Sequence, residues 1–234
     1  MRGHRVSGGR QVRHSDWVIL EFGRLATVSE RSLTYGTVYR PPPDCTEAGG
    51  IPCRPVLEGL SGPFVLVGHS YSGVPVTEVA AAREDVTHVV YVCAFAMPAG
   101  TSMLDALGGQ PPEWWIFAED GESIMPDNPG ALLFSECAPA VANGAIARLR
   151  PHSARSVREP LRAAGYGEKP ATYVISERDA ILPADVAERV AALAQATTIS
   201  LDSGHHPMFS RPAELALILA GIVARTALAE PATS

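Results

Sequence analysis

The sequence predicts an α/β fold with a doubly wound, mostly parallel sheet. Strand-like runs lie at residues 64–67, 88–95, 171–176 and 196–201. The first run, Phe-Val-Leu-Val, is apolar without alternation, as in a parallel strand buried on both faces. Helix-compatible segments separate the runs, and this alternation favours a parallel sheet with helices packed against it. The 234 residues are 46% hydrophobic, which suits one domain with a substantial core.

Ser70 lies where the first strand turns sharply into a helix predicted at residues 74–82. Such a turn strains the backbone at the serine, projects its hydroxyl from the sheet and requires small side chains two residues to either side. Gly68 meets this requirement, whereas Ser72, with Gly73 behind it, is a mild departure from the usual glycine. The pattern is typical of a nucleophile elbow and makes Ser70 the candidate nucleophile. The alternative is a strand-to-helix connection that begins with a serine N-cap.

Residues 99–169 interrupt the alternation between two predicted core strands. This segment contains apolar and aromatic residues, Trp114 and Trp115 among them, that suit a pocket for an uncharged acyl or aryl group. The alternative is that these residues only attach the segment to the core. No Arg or Lys can be nominated from the sequence as a ligand for a carboxylate.

A carboxylate follows the strand predicted at residues 171–176. Asp179 lies in the loop before the next helix, at the edge where open parallel sheets build their sites. In this class of sheet an acid and then a histidine follow the serine in chain order. Asp179 is therefore the candidate acid, and Glu177 is the alternative. A different interpretation is that Asp179 only caps the helix or pairs with Arg178.

A histidine pair follows the strand predicted at residues 196–201. His205 comes directly after Gly204, which permits the tight turn that aims an imidazole back across the strand ends. His206 precedes Pro207, which holds it extended. We therefore choose His205 over His206 as the candidate base. A metal site on this pair lacks a second set of ligands at suitable spacing, so no metal is expected.

Two amphipathic helices complete the predicted alternation. The helix predicted at residues 184–194 has an apolar stripe formed by Val186, Val190 and Leu193. The final helix has the clearest i, i+3, i+4, i+7, i+8 pattern, formed by Leu215, Ile218, Leu219, Ile222 and Val223. Both stripes are predicted to face the sheet.

Three motifs together resemble those of α/β-hydrolase fold enzymes. Gly-His-Ser-Tyr-Ser-Gly at residues 68–73, the Asp179 loop that ends at Pro183, and Gly-His-His-Pro-Met-Phe-Ser-Arg-Pro at residues 204–212 look like the nucleophile, acid and histidine blocks. The similarity is strongest to small bacterial esterase-like members akin to plant salicylate methylesterases and hydroxynitrile lyases. It covers residues 56–225. The resemblance implies a catalytic triad of Ser70, Asp179 and His205, and a lid at about residues 99–169.

The resemblance also implies an oxyanion hole, to which the backbone N–H of Tyr71 contributes one donor. In relatives a His-Gly loop after an early strand supplies the second donor. This sequence has no His-Gly there, and residues 17–24 are the best substitute, with Gly23 as the candidate donor. His69 and Met208, which belong to the nucleophile and histidine motifs, join the two tryptophans as candidate pocket residues.

The chain is divided into three parts. Residues 36–226 are assigned to the hydrolase-like domain, and residues 227–234 to a C-terminal tail. Residues 1–35 match no recognised pattern. They are interpreted as a divergent front of the fold or as the product of a misassigned start or frame shift.

Composition argues against several function classes. A net charge of −6 and a pI near 5.6 give no electrostatic footprint for nucleic acid or an anionic membrane. No stretch is long enough to span a membrane, and the apolar run at residues 17–20 is too short for a signal-peptide core. We expect a cytoplasmic protein. Its scattered cysteines, Cys45, Cys53, Cys93 and Cys137, are expected to be reduced, with Cys93 filling space inside a strand; the alternative is a disulfide between Cys45 and Cys53.

These features predict a serine hydrolase that needs no cofactor and cleaves a small carboxylic ester through an acyl-enzyme. The expected partner is the small-molecule ester itself. Two alternatives stay open, a hydroxynitrile lyase-like enzyme and a non-catalytic small-molecule-binding homologue that has lost oxyanion stabilisation. The sequence does not indicate an oligomeric state.

Overall fold

The structure, a computed structural model, describes residues 17–21, 24–29, 32–34 and 63–229. Three strands lie near the N-terminus: β1 (Trp17–Glu21), β2 (Arg24–Ser29) and β3 (Ser32–Thr34). Four more strands of the same sheet follow, β4 (Phe64–His69), β5 (Val86–Val92), β9 (Ala171–Ser176) and β10 (Thr197–Leu201). Three short strands between β5 and β9 form a separate sheet, β6 (Trp115–Phe117), β7 (Ser123–Pro126) and β8 (His152–Ser153).

Within the described residues, the main sheet has seven strands in the order β10-β9-β5-β4-β1-β2-β3. The pairs from β10 to β1 are all parallel, and only β2 and β3 add antiparallel pairs at the edge. The predicted mostly parallel α/β sheet is therefore confirmed. Since parallel strands end at one edge of the sheet, the segments that follow β4, β9 and β10 meet there.

Helices cover both faces of this sheet. On one face α1 (Gly73–Ala82) and α6 (Ala184–Leu193) pack on alternate residues of β4, β5 and β9, such as Leu66 and Tyr173. On the other face α8 (Pro212–Ala229) packs on the intervening residues, such as Val67 and Val174. The strands are buried on both sides, which explains their apolar runs. None of the described helices is both long and apolar enough to cross a membrane.

The two predicted apolar stripes have different outcomes. Leu215, Leu219 and Ile222 of α8 are buried against the sheet, with Ile218 and Val223 packed beside them, as predicted. In α6 the predicted stripe is confirmed only in part: Val186 and Val190 pack against apolar clusters of the core, but Leu193 is 40% exposed, and the fully buried positions are Ala187 and Ala191. Alanines allow this helix to lie close to the sheet, and the larger side chains are left at its flank.

The end of β5 also differs from the prediction. The strand stops at Val92, and Cys93 follows it with a left-handed φ of 46°. Its thiol is within 2.9 Å of the Ser176 hydroxyl, which in turn lies 2.7 Å from the hydroxyl of Ser203. Cys93 is thus a buried group at the strand ends rather than a residue inside the strand, and burial raises the pKa of its thiol.

The inserted segment (residues 99–169) lies between β5 and β9. Besides strands β6 to β8 it contains four short helices: α2 (Met103–Ala106), α3 (Pro129–Leu132), α4 (Pro139–Ile146) and α5 (Ala154–Arg158). Its buried residues, such as Trp115, Ile124 and Val157, pack against Val74 of α1 and Phe95. This packing places the inserted segment beside the C-terminal ends of the sheet strands. The last short helix, α7 (Pro207–Ser210), leads from that edge into α8.

Candidate active site

Ser70 occupies a strained turn between β4 and α1. Its φ is 53°, in the left-handed region that residues other than glycine seldom adopt, and residues Ser70–Ser72 form a single 3₁₀ turn before the helix. The carbonyl of Ser70 accepts a hydrogen bond from the backbone N–H of Phe95, 3.0 Å away, which holds the turn against the neighbouring chain. The side chain is 8% exposed and lines a cavity. This is the backbone geometry of a nucleophile elbow.

The close approach at this turn falls on Gly68 and Gly73. A Cβ on Gly68 would lie 2.7 Å from Val76 Cγ2, and a Cβ on Gly73 would lie 2.2 Å from the carbonyl oxygen of Phe95. Ser72, which the sequence marked as the mild departure, is 3% exposed and fits its place. On the helix side of the turn, the position that tolerates no side chain is therefore Gly73, one residue after Ser72 and the first residue of α1.

Gly73→Ala is expected to lower the free energy of unfolding by about 3 kcal/mol, because the new methyl group meets a backbone carbonyl that cannot move without displacing the loop after β5. Gly144→Ala in α4 is the matched control, since nothing lies within 4 Å of its added methyl group. That control is expected to raise stability by about 0.5–1 kcal/mol. Urea unfolding of both variants measures the difference, and equal stabilities would contradict the account of the turn.

The structure brings Ser70, His205 and Asp179 into one hydrogen-bonded chain. The Ser70 hydroxyl donates to His205 Nε2 across 2.9 Å, and His205 Nδ1–H donates to Asp179 Oδ2 across 2.8 Å. His205 is 1% exposed and Asp179 is 5% exposed, so water is largely excluded from both contacts. The three residues come from the segments that follow β4, β9 and β10, which all end at one edge of the sheet.

Asp179 is held by its own loop. Its Oδ1 accepts hydrogen bonds from the backbone N–H groups of Ile181, at 2.7 Å, and Leu182, at 3.0 Å. Glu177, the alternative acid, is exposed. Arg178 pairs with Glu136 and Asp202 instead of with Asp179. The carboxylate therefore has one oxygen fixed by the backbone and the other on His205.

His69 lies behind His205 and does not line the cavity, contrary to the pocket prediction. Its Nε2 is 2.7 Å from the carbonyl oxygen of His205, and because a carbonyl only accepts, Nε2 carries the proton. Burial, reinforced by the proximity of His205, lowers the pKa of His69 to about 3. His69 is thus a neutral donor that fixes the backbone of the candidate base.

His206 packs beside this pair and points in a different direction from His205. Its Nδ1–H donates to the carbonyl of Leu133, 2.9 Å away, and its ring lies 4.6 Å from that of Phe134. Burial lowers the pKa of His206 well below its usual value. Its hydrogen bond attaches the inserted segment to the loop after β10, whereas the imidazole that contacts Ser70 belongs to His205.

Because His69 and His206 are buried in the neutral form, we expect the free energy of unfolding to fall at acidic pH. In the unfolded chain a histidine titrates near pH 6.5, whereas folded His69 stays neutral down to about pH 3, so the unfolded state binds more protons between these values. Stability is then fully present above pH 6.5 and is lost as the pH falls. At pH 5 the expected loss is about 2 kcal/mol for His69 alone, with His206 acting in the same direction. Urea unfolding at pH 7.5 and pH 5 measures it, and equal free energies would contradict the prediction.

The cavity above Ser70 has a volume of about 270 Å³ and a mostly apolar wall. Trp114 and Trp115, two of the predicted pocket residues, are among the residues that line it. Met208 does not, since it packs against the apolar cluster between the sheet and α8. Residues that sequence reasoning did not select for the pocket include Arg148, Arg150 and His152. They come from one short stretch of the inserted segment, and nothing in their local pattern indicates a cavity.

Comparison with known proteins identifies the family. A profile of the alpha/beta hydrolase family matches residues 3–216. The chain belongs to the alpha/beta hydrolase family. An alpha/beta hydrolase of Aspergillus novofumigatus, nvfD, is 33% identical over 162 residues, which cover 63% of this chain and 65% of the fungal protein. The matched part of this chain thus spans slightly less than two thirds of that relative.

Solved structures of other alpha/beta hydrolases share this fold. The Arabidopsis methylesterase MES16 has a TM-score of 0.64 at 19% identity, over 74% of this chain and 75% of its own. A pyrethroid hydrolase from Sphingobium faniae JZ-2 has a TM-score of 0.62 at 18% identity, over 75% of this chain and 76% of its own. At these identities the likeness concerns the fold alone. The predicted resemblance to the hydrolase family is confirmed.

Of the two predicted oxyanion donors, the backbone N–H groups of Tyr71 and Gly23, only that of Tyr71 lies within the described residues. Tyr71 follows Ser70 in the 3₁₀ turn, so its backbone N–H lies at the N-terminal end of the helical segment. Gly23 lies outside the described residues. Strand β1, which ends two residues before it, runs parallel to β4 with Leu20 opposite Gly68, and it contacts the turn that begins at Ser70. The early strand expected from the sequence therefore ends beside the candidate nucleophile.

The described part of the chain contains no group of three or more His, Cys, Asp or Glu side chains that is arranged to hold a metal ion. Cys93 and Cys137 are free thiols, and burial raises the pKa of both. Cys45 and Cys53 lie outside the described residues.

Proposed function

We propose that this protein is a serine hydrolase that cleaves a small carboxylic ester through an acyl-enzyme. The observation that carries the proposal is the hydrogen-bonded chain from Ser70 through His205 to Asp179, which opens on an apolar cavity. A serine hydroxyl is a weak nucleophile until a base removes its proton, and this arrangement places that base at 2.9 Å.

In the first half of the reaction, Ser70 Oγ attacks the ester carbonyl carbon and its proton passes to His205 Nε2. The resulting imidazolium is stabilised by the Asp179 carboxylate on Nδ1, which also fixes the tautomer with Nε2 free to accept. The negative charge on the former carbonyl oxygen is bound by the Tyr71 N–H. The C–O bond to the alcohol then breaks, and His205 returns the proton to the departing alcohol.

In the second half, water replaces the alcohol. His205 takes a proton from the water as its oxygen attacks the acyl carbon, and the same proton is then delivered to Ser70 Oγ when the acid leaves. His69 supports both halves of the reaction by donating a hydrogen bond to the backbone carbonyl of His205. Because the imidazole of His69 is neutral, it adds no positive charge next to the base. The products are one carboxylic acid and one alcohol.

The cavity supports an ester with an apolar acyl or aryl group. Its lining includes Trp115, Leu133 and Ile181, which offer no hydrogen-bonding side chain other than the indole N–H. Two structural neighbours are a methylesterase and a pyrethroid hydrolase by name, which supports ester cleavage on this fold as a reaction class. A non-catalytic binding protein has no need of the aligned serine, histidine and carboxylate.

The test of the proposal is turnover combined with acyl transfer. Purified protein is given 4-nitrophenyl butyrate and phenyl butyrate, two esters of one acid, in the presence of methanol. An acyl-enzyme common to both esters gives the same ratio of methyl butyrate to butyric acid, whatever alcohol has left. Ratios that differ between the two esters would contradict a common intermediate. Absence of turnover with any short ester would contradict the hydrolase and favour the binding protein.

A further inference from the structure

Two arginines are among the residues that line the cavity, and both are exposed to solvent. Arg148 and Arg150 belong to the stretch between α4 and β8, and Leu149, between them, lines the same cavity. Both arginines are exposed, so their guanidinium groups remain in contact with solvent. We call Arg148 and Arg150 the rim arginines. They place positive charge at the cavity of a protein whose net charge is −6.

The rim arginines have no acidic partner within residues 63–229. Neither guanidinium forms an ion pair or a hydrogen bond there, whereas Arg83, Arg178 and Arg189 each pair with an aspartate or glutamate. No aspartate or glutamate is among the described residues that line the cavity. The donors of both guanidinium groups are therefore available to a ligand that carries acceptor oxygens.

The other titratable groups of the cavity wall add little charge at neutral pH. Burial lowers the pKa of His152 to about 4 and that of His206 well below its usual value, so both are neutral. Most of the other residues that line the cavity are apolar, among them Leu133, Ala145 and Leu149. A ligand that matches this wall has an apolar body and a negative charge that can meet the rim arginines.

We propose that the substrate is an ester that carries a free carboxylate, such as the monoester of a dicarboxylic acid. This inference rests on the proposed function and names its substrate class. The ester carbonyl lies at Ser70, the apolar chain fills the cavity, and the free carboxylate binds the rim arginines by charge-assisted hydrogen bonds. Arg is suited to this task because its planar donors match a carboxylate and its charge persists at every physiological pH.

Binding to the Ser70→Ala variant tests the inference independently of catalysis. Calorimetric titration compares monomethyl adipate with methyl hexanoate, which differ only in a terminal carboxylate against a terminal methyl group. We expect the Kd of the anionic ester to be about tenfold lower, since hydrogen bonds to charged groups are stronger than neutral ones and solvent exposure reduces their value. Equal affinity for the two esters would overturn the inference.

Matched double variants locate the effect. In the Ser70→Ala background, Arg148→Gln/Arg150→Gln is expected to abolish the preference for the anionic ester and to leave methyl hexanoate binding within about twofold. Arg155→Gln/Arg158→Gln removes the same formal charge from two residues of α5 that do not line the cavity, and is expected to keep the preference. If both double variants lost the preference for the anionic ester to the same extent, that preference would come from the overall charge of the protein, and the inference would be overturned.

The same pair of esters separates this inference from the proposed function. Hydrolysis of both esters by the unmodified protein at equal kcat/KM, with no effect of the rim variants, overturns the carboxylate site and leaves the hydrolase intact. Binding of monomethyl adipate that depends on the rim arginines, without hydrolysis of either ester, supports the carboxylate site and contradicts the hydrolase. Added salt is expected to raise KM for the anionic ester and not for the neutral one.

Discussion

Ser70→Ala is expected to reduce kcat/KM for 4-nitrophenyl butyrate by about 10⁴-fold or more, because it removes the hydroxyl that forms the acyl-enzyme in the proposed mechanism. Alanine retains the Cβ of serine, so the strained turn and the buried surroundings of the hydroxyl are otherwise preserved. The residual rate reports what the cavity and the oxyanion donor achieve without a covalent step. Initial rates with variant protein of verified fold measure the loss.

Ser72→Ala is the matched control for this substitution. It removes a second buried hydroxyl from the same 3₁₀ turn, two residues away, and is expected to change kcat/KM by less than about fivefold. Urea unfolding confirms that both variants are folded. Undiminished turnover by folded Ser70→Ala protein, or equal losses in the two variants, would contradict a covalent role for Ser70.

His205→Ala is expected to lower kcat by about 10³-fold or more, since it removes the base at 2.9 Å from the Ser70 hydroxyl. His206→Ala is expected to cost about tenfold at most, because His206 hydrogen-bonds the Leu133 carbonyl and not Ser70. Both residues are almost fully buried and adjacent in the chain, so the pair compares function at nearly matched burial. Steady-state kinetics at saturating ester measure both variants.

The order of the two effects decides the assignment. A larger loss of kcat in folded His206→Ala protein would move the base to His206 and contradict the geometry at Ser70. Imidazole added to His205→Ala protein is expected to restore part of the rate, because a small base can occupy the space the side chain has left. Imidazole is not expected to restore activity lost through a packing defect in either variant.

Much of the fold follows from local sequence patterns. The strands around Leu66, Val90 and Val174 are buried on both faces. Their sequences are therefore uninterrupted apolar runs, and these runs were enough to predict the strands. The stripe of α8 is equally direct, since its large apolar residues face the sheet. In α6 the prediction was wrong only for Leu193, because the most buried positions of that helix are Ala187 and Ala191, whose small size carries little periodic signal.

The candidate triad was predictable because each residue follows a strand in a short loop, and parallel strands bring such loops to one edge. The cavity wall was not, because it depends on how the inserted segment folds over that edge. Arg148 and Arg150 reach the cavity through the path of the chain between α4 and β8, which has no signature in a linear pattern. The prediction that His69 lines the pocket rested on its place next to Ser70 in the chain. Neighbouring residues at the end of a strand point in opposite directions, so the side chain of His69 does not line the cavity that Ser70 lines.

The most direct test of the central claim is to identify the atom that reacts with a fluorophosphonate. The unmodified protein is incubated with one equivalent of a fluorophosphonate, digested and mapped by mass spectrometry, with His205→Ala and Ser72→Ala proteins treated in parallel. We expect one adduct, located on Ser70, with loss of esterase activity in proportion to labelling, slow labelling of His205→Ala protein and normal labelling of Ser72→Ala protein. A protein that hydrolyses esters while Ser70 stays unmodified, or whose adduct lies on another residue, would contradict the assignment of Ser70 as the nucleophile.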